Sequence, residues 1–275
     1  MKAAVLGSPI THSLSPVLHR AAYQALGLDD WCYTAIECDE ARLPGLLDGC
    51  GPDWAGLSLT MPLKRAVLGL LTRTEQLALD VGAANTVVFR DGIRHGHNTD
   101  VPGMISALAE AGLPGPGSPP PARVLILGAG ATACSALAAV RGLGTRQVMV
   151  AVRDTQRARG LLAAADRLGV TVTLTSFDPP GDAAPDLLIS TVPAGAADMY
   201  AERILDGTLV PACVLDVVYH PWPTPLAVAA QKCGAAVAGG FGLLLYQAAE
   251  QVSLMTGRAA PVEPMRAAGL AALDG

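Results

Sequence analysis

The chain has 275 residues, 51% of them hydrophobic, 4% aromatic and 16% charged, with a formal net charge of −5. That length and apolar content are enough for one large or two modest globular domains with a real core. The acidic balance, the lack of a Lys/Arg block and the scarcity of aromatic rings exclude a polyanion-binding face and a base-stacking platform, so no nucleic-acid partner is expected.

In chain order, Lys2 to Leu6 is a short apolar run that Gly7 and Pro9 interrupt, and it is the first expected strand. It is too short for a signal-peptide core, and no long uncharged apolar run follows; a soluble, cytoplasmic protein with no membrane span is expected. A helix is expected from Pro16 to Leu26, with the Ser15 hydroxyl as its cap, proline in its first turn and Gly27 at its end. Strands follow at Trp31 to Ile36, Ala55 to Leu59 and Asn85 to Phe89, with a second helix from about Pro102 to Ala111. This alternation predicts an α/β domain.

Short polar groups break into the apolar runs at three successive strand ends: Thr60-Met61-Pro62-Leu63-Lys64, Ala84-Asn85-Thr86 and Asn98-Thr99-Asp100. Polar side chains gathered at strand ends point to a ligand. Six scattered cysteines, without a Cys-x-x-Cys pair or zinc-type histidine spacing, read as free buried thiols in a reducing compartment. His95-Gly96-His97 lacks a third ligand and reads as loop; no metal is expected, and no histidine has an acidic partner in sequence.

The run Pro114-Gly115-Pro116-Gly117-Ser118-Pro119-Pro120-Pro121 continues neither helix nor sheet and marks a linker over residues 113–121. Beyond it, Arg123 to Leu127 is a buried-strand run feeding Gly128-Ala129-Gly130-Ala131-Thr132-Ala133, then an alanine-rich helix to Leu143 and a strand from Gln147 to Val152. A βαβ unit of about 30 residues is the setting a dinucleotide fingerprint requires. Gly128 allows the tight turn, Gly130 lets backbone approach a pyrophosphate, and Ala133 permits close helix-on-strand packing. After the second strand, Arg153 and Arg157 suit a ribose 2′-phosphate and favour NADP. Asp154 opposes a phosphate or caps the helix that follows, so NAD stays open. Val214 to Val218 and Ala235 to Ala238 are strand-like, Gly239-Gly240 reads as a turn, and a helix is expected from Gly242 to Met255.

Taken in order, Gly7-Ser8-Pro9-Ile10-Thr11-His12-Ser13-Leu14-Ser15-Pro16, the Thr60 to Lys64 run, Ala83-Ala84-Asn85-Thr86, Asn98-Thr99-Asp100, the Gly128 fingerprint and Gly240-Phe241-Gly242-Leu243-Leu244-Leu245-Tyr246-Gln247 resemble the shikimate dehydrogenase family over essentially the whole chain. The resemblance implies an N-terminal α/β substrate domain of residues 1–103 and 241–275, completed by returning C-terminal helices, and a Rossmann-type NADP domain of residues 122–240. It implies reversible NADPH-dependent reduction of 3-dehydroshikimate to shikimate, with Lys64 and Asp100 as the acid–base dyad.

Ser13 and Ser15 would then meet the substrate carboxylate, and Thr60, Asn85, Gln247 and Tyr219 the rest of the ring. Cofactor contacts would come from Gly128, Ala129, Gly130, Ala131, Thr132, Arg153, Arg157, Val217 and Gly240. The partner implied is a small molecule, for a monomer or homodimer. The chain departs from the family at Ala131, where a second glycine is usual, and at Val152 and Asp154, where asparagine and a hydroxyl residue are usual. Both departures concern the cofactor, which keeps an NAD-dependent quinate or shikimate dehydrogenase as the alternative, beside a non-catalytic NADP-binding redox sensor.

Overall fold

The computed structural model describes residues 1–113, 119–178 and 184–273. The chain divides into two compact units, Met1–Gly103 with Leu244–Gly275, and Met104–Leu243. In the first unit the elements run β1 (Lys2–Gly7), α1 (Ser15–Ala25), β2 (Cys32–Glu37), α2 (Leu43–Asp48), β3 (Trp54–Leu59), α3 (Leu63–Ala66), β4 (Arg73–Thr74), α4 (Gln76–Val81), β5 (Thr86–Arg90) and β6 (Ile93–His97), with α5 (Asp100–Glu110) leading out of it.

Its six strands lie in the order β2-β1-β3-β5-β6-β4. β1 is parallel to both β2 and β3, whereas β5 is antiparallel to β3 and to β6. Ser58 therefore pairs with Thr86, and Thr86 with His97. The end of β3, the start of β5 and the end of β6 come to one end of the sheet, together with the exit of β1, where the Thr60 N–H bonds to the Leu6 carbonyl at 2.9 Å. The three polar segments separated in sequence are neighbours for this reason. A core of Ala4, Leu6, Leu57, Leu59, Leu63 and Val87 lies beneath them, and the central strands, covered on both faces, read as apolar runs rather than alternating ones.

β6 corrects one expectation: His95, Gly96 and His97 are strand, not loop. Asp91 and Gly92, with φ of 50° and 71°, form the two-residue hairpin turn that returns the chain, and Arg90 pairs with Ile93. A second correction concerns α1. Ser15 is already its first residue and Leu14 occupies the cap position without a side-chain bond. Ser13 Oγ instead accepts the Ser15 N–H at 3.3 Å. Gly27, with φ of 65°, ends the helix as expected, and the Leu28 N–H reaches back to the Tyr23 carbonyl at 2.9 Å.

The second unit continues with β7 (Val124–Leu127), α6 (Ala131–Gly142), β8 (Gln147–Val152), α7 (Arg159–Leu168), β9 (Thr171–Ser176), β10 (Leu187–Ser190), α8 (Asp198–Leu205), β11 (Cys213–Asp216), α9 (Pro225–Lys232) and β12 (Ala236–Gly239). All its strands are parallel, in the order β12-β11-β10-β7-β8-β9. Counted from β7, this is the doubly wound 3-2-1-4-5-6 order, with its switch point between β7 and β10.

α10 (Gly240–Thr256) and α11 (Val262–Leu273) return the chain to the first unit. Gly239 and Gly240 do not form the expected turn: one ends β12 and the other begins α10. They are glycine because the chain passes close to other atoms; a Cβ on Gly240 would stand 2.2 Å from the Val217 carbonyl oxygen, and one on Gly239 2.9 Å from the Trp222 ring.

Of the expected linker, residues 114–118 lie outside the described residues, while the Pro121 carbonyl accepts the Thr145 hydroxyl at 2.8 Å. None of the six cysteines is in a disulfide, but only Cys38, Cys134 and Cys213 are buried; Cys32 and Cys233 are exposed. Cys32 is exposed because it opens the edge strand β2. Among the described residues no helix is long and apolar enough to cross a membrane.

Candidate active site

Lys64 follows β3 in the single-turn helix α3, and Asp100 opens α5 just after β6. Lys64 Nζ lies 2.6 Å from Asp100 Oδ2, with the two side chains only 16% and 6% exposed. Charges held this far from water persist when each has a partner. The second Asp100 oxygen, Oδ1, accepts from Asn85 Nδ2 at 2.8 Å. The orientation of Asn85 is set by Thr99, whose backbone N–H donates to Asn85 Oδ1 at 2.8 Å. A backbone N–H only donates, so the carbonyl end of the amide must face Thr99 and the NH₂ end must face Asp100.

Gln247, on the first turns of α10, donates to the Leu244 carbonyl at 2.9 Å and accepts from Asn85 Nδ2 at 3.4 Å. Lys64, Asn85, Asp100 and Gln247 are thereby linked into one polar group. Thr60 stands at the same end of the sheet, just past β3. Ser13 lies in the loop after β1 and Ser15 opens α1 behind it; Glu37 pins that loop by accepting the Ser8 hydroxyl at 2.5 Å and the Ile10 N–H at 3.1 Å.

Sequence reading missed the layer beneath this group. Gln251, one turn beyond Gln247, is buried with His19, Tyr33 and Ser58. Burial pushes the His19 imidazole down to about 3, so it is neutral at any working pH. The one signal in sequence was Gln247 and Gln251 four apart in a mostly apolar helix, which puts both amides on one face. His97 also corrects the view that no histidine has an acidic partner: its Nδ1 lies 3.1 Å from Glu75 Oε2.

The other expected residues belong to the second unit. A cavity of about 530 Å³ at the ends of β7 and β8 is lined by Gly128, Ala129, Val152, Arg153, Asp154 and Arg157, among others. Gly128 has φ of 100°, and a Cβ there would meet Thr191 Oγ1 at 2.8 Å. Gly130 leads into α6, with Ala131 and Thr132 as its first residues, and a Cβ on Gly130 would point into open space.

Arg153 stacks its guanidinium over the Phe177 ring at 5.1 Å, while Arg157 is 87% exposed and 3.7 Å from Asp154. Asp154 accepts the Gln156 N–H at 2.9 Å and caps the short 3₁₀ turn after β8. Val217 is fixed through its N–H to the Ser190 carbonyl at 3.1 Å, and Gly240 packs against its carbonyl. Tyr219 is half-buried in the loop after β11, which Asp216 organises by accepting the Thr224 hydroxyl at 2.7 Å and the Val218 N–H at 3.3 Å. Burial raises the Asp216 carboxyl above its ordinary range.

Comparison with known proteins adds to this geometry. The model of the shikimate dehydrogenase substrate binding domain matches residues 5–87, and that of the shikimate 5′-dehydrogenase C-terminal domain matches residues 240–268. A shikimate dehydrogenase (NADP(+)) of Geobacter sp. (strain M21) is 37% identical over 269 residues, 94% of this chain and 90% of that one. Shikimate dehydrogenase of Mycobacterium tuberculosis superposes with a TM-score of 0.86 at 40% identity, over 98% of this chain and 99% of that one. Quinate dehydrogenase from Corynebacterium glutamicum, solved in complex with NAD, gives a TM-score of 0.86 at 30% identity, over 98% and 99%.

Proposed function

The chain belongs to the shikimate dehydrogenase family, and on that premise we propose that Lys64 and Asp100 are the acid–base dyad of its reaction, the reversible NADPH-dependent reduction of 3-dehydroshikimate to shikimate. The observation that carries the proposal is the shielded Lys64–Asp100 pair at 2.6 Å, set among neutral amide and hydroxyl groups. Reducing a ketone builds negative charge on its oxygen. An ammonium held beside that oxygen donates the proton, and in the reverse direction the amine takes it back. Asp100, gripped through Oδ1 by Asn85, keeps the Lys64 side chain at one position and has lone pairs to spare for the reacting hydroxyl.

In the same reading Ser13 and Ser15 donate to the substrate carboxylate, and Thr60, Asn85, Gln247 and Tyr219 read the ring hydroxyls. The first unit is then the substrate and catalytic part and the second the cofactor part. NADP fits the second unit: the Gly128 turn, the open approach at Gly130, and Arg153 and Arg157 beside the cavity suit a pyrophosphate and a 2′-phosphate. When bound, NADPH supplies the hydride. Gly128, Ala129, Gly130, Ala131, Thr132, Arg153, Arg157, Val217 and Gly240 are the residues proposed to hold it. The enzyme acts on a small molecule as a cytoplasmic monomer or homodimer.

A second reading, an NAD-dependent quinate or shikimate dehydrogenase, is favoured by Asp154 at the end of β8 and by the NAD-bound quinate dehydrogenase among the similar structures. Initial rates of shikimate and quinate oxidation, each with NADP and NAD, decide between them. Binding of NADPH without turnover of either acid would instead support a redox sensor.

A further inference from the structure

Behind the proposed dyad runs a buried chain of hydrogen bonds whose direction is forced at both ends. The Asn85 backbone carbonyl can only accept, so the group facing it at 3.3 Å is the Gln251 amide nitrogen, which also donates to Thr86 Oγ1 at 3.0 Å. Gln251 Oε1 then faces the other way. It takes the Ser58 hydroxyl at 2.7 Å and lies 3.3 Å from His19 Nε2. Ser58, having spent its proton, must accept from Tyr33 at 2.6 Å. His19 must donate from Nε2, which leaves Nδ1 as a bare lone pair; that buried atom indeed has no partner. Thr86, receiving from Gln251, turns its own proton to Asn85 Oδ1 at 2.9 Å. Every member is buried.

We infer that Gln251 is a positioning residue for the acid–base site, acting through the Thr86 hydroxyl on the Asn85 side chain. The inference rests on the proposed role of Lys64 and Asp100. The direction of the bonds is what matters: each donor points toward Asn85, whose NH₂ group ends the chain on Asp100 Oδ1. Without Gln251 the Thr86 hydroxyl loses the donor that fixes its rotor, and Asn85 loses one of the bonds that hold its plane. Buried networks of this kind are more rigid than their separate bonds suggest. Small misplacements at a reacting centre are expensive in rate.

Gln251→Met keeps the length of the side chain and removes the amide, Thr86→Val keeps the shape and removes the hydroxyl, and Thr86→Ser keeps the hydroxyl. We expect Gln251→Met and Thr86→Val each to lower kcat for shikimate oxidation roughly tenfold or more, with KM for shikimate within about twofold. Thr86→Ser should stay near the parent, and the double variant should be no slower than the slower single one. Full kcat in Thr86→Val, or losses that multiply in the double variant, overturn the inference. If Gln251→Met does not fold, the Thr86→Val and Thr86→Ser pair decides alone. Lys64→Ala, measured alongside, separates the two levels: retained turnover there overturns the dyad itself, whereas collapse there with normal Thr86→Val overturns only the role of Gln251.

Discussion

Asn85 and Lys64 hold Asp100 by opposite oxygens, Asn85 Nδ2 at 2.8 Å from Oδ1 and Lys64 Nζ at 2.6 Å from Oδ2. A carboxylate bonded on both oxygens cannot rotate without breaking one of them. The lysine is thus tethered to a group that is itself fixed to Asn85, the residue just before β5, rather than to a freely turning side chain.

From this follows the first expectation. Lys64→Ala removes the proton donor while leaving the serine loop, Thr60 and Gln247 in place. We expect kcat to fall by roughly a hundred- to ten-thousand-fold, with shikimate affinity, measured by calorimetry, changed only a few-fold. Near-normal kcat would remove Lys64 from the chemistry.

Arg153 is braced over Phe177 at 5.1 Å, whereas Arg157 reaches into solvent with Asp154 as its neighbour. The braced residue has less freedom to lose on meeting a phosphate. Arg153→Ala should raise KM for NADP about tenfold or more, the size of a lost charge-assisted hydrogen bond, and leave KM for NAD nearly unchanged. Equal effects on both cofactors would mean that Arg153 does not read the 2′-phosphate.

Much of this arrangement was legible from sequence because it is local. The βαβ unit after the linker, the strand from Gln147 to Val152 and the stop at Gly27 depend on residues a few positions apart, and as local structure they stand as read. The β5–β6 hairpin was overlooked, although Asp91-Gly92 is a strong turn signal, because His95-Gly96-His97 lacks the hydrophobic content of a strand. Gly96 leaves room for a neighbour, since a Cβ there would lie 2.2 Å from Leu71 Cδ1 and the leucine would have to move. What could not be read was register. Asn85 meets Asp100 only because β5 runs antiparallel to both β3 and β6, and His19 meets Gln251 across 232 positions of chain.

Two glycines of the second unit should respond in opposite ways. A Cβ on Gly240 would press on backbone, 2.2 Å from the Val217 oxygen, and nothing flexible can give way. Gly240→Ala should cost about 1–3 kcal/mol or more, read as a lower melting temperature. Gly130→Ala meets only open space and has an ordinary φ of −76°, so stability should hold. Its methyl would occupy the approach proposed for the pyrophosphate, and KM for NADP should rise. A Gly130→Ala variant with parental KM would place the cofactor elsewhere.

Acid stability should carry the signature of His19. Burial lowers this imidazole from an ordinary 6.5 to about 3, so between those values the unfolded chain binds a proton that the folded chain does not. Stability therefore falls as pH drops from about 6.5 toward 3, by at most ~1.4 kcal/mol per pH unit from this one group. His19→Gln removes the titrating ring yet keeps an N–H for Gln251 Oε1. Its stability in urea, measured from pH 7 to pH 4, should fall less steeply than that of the parent, even if its stability at pH 7 is lower through loss of the stack on Tyr33 at 3.9 Å. Parallel pH profiles for the two proteins would mean that His19 titrates in the folded chain as it does in the unfolded one, and the bare lone pair assigned to its Nδ1 would then lose its support.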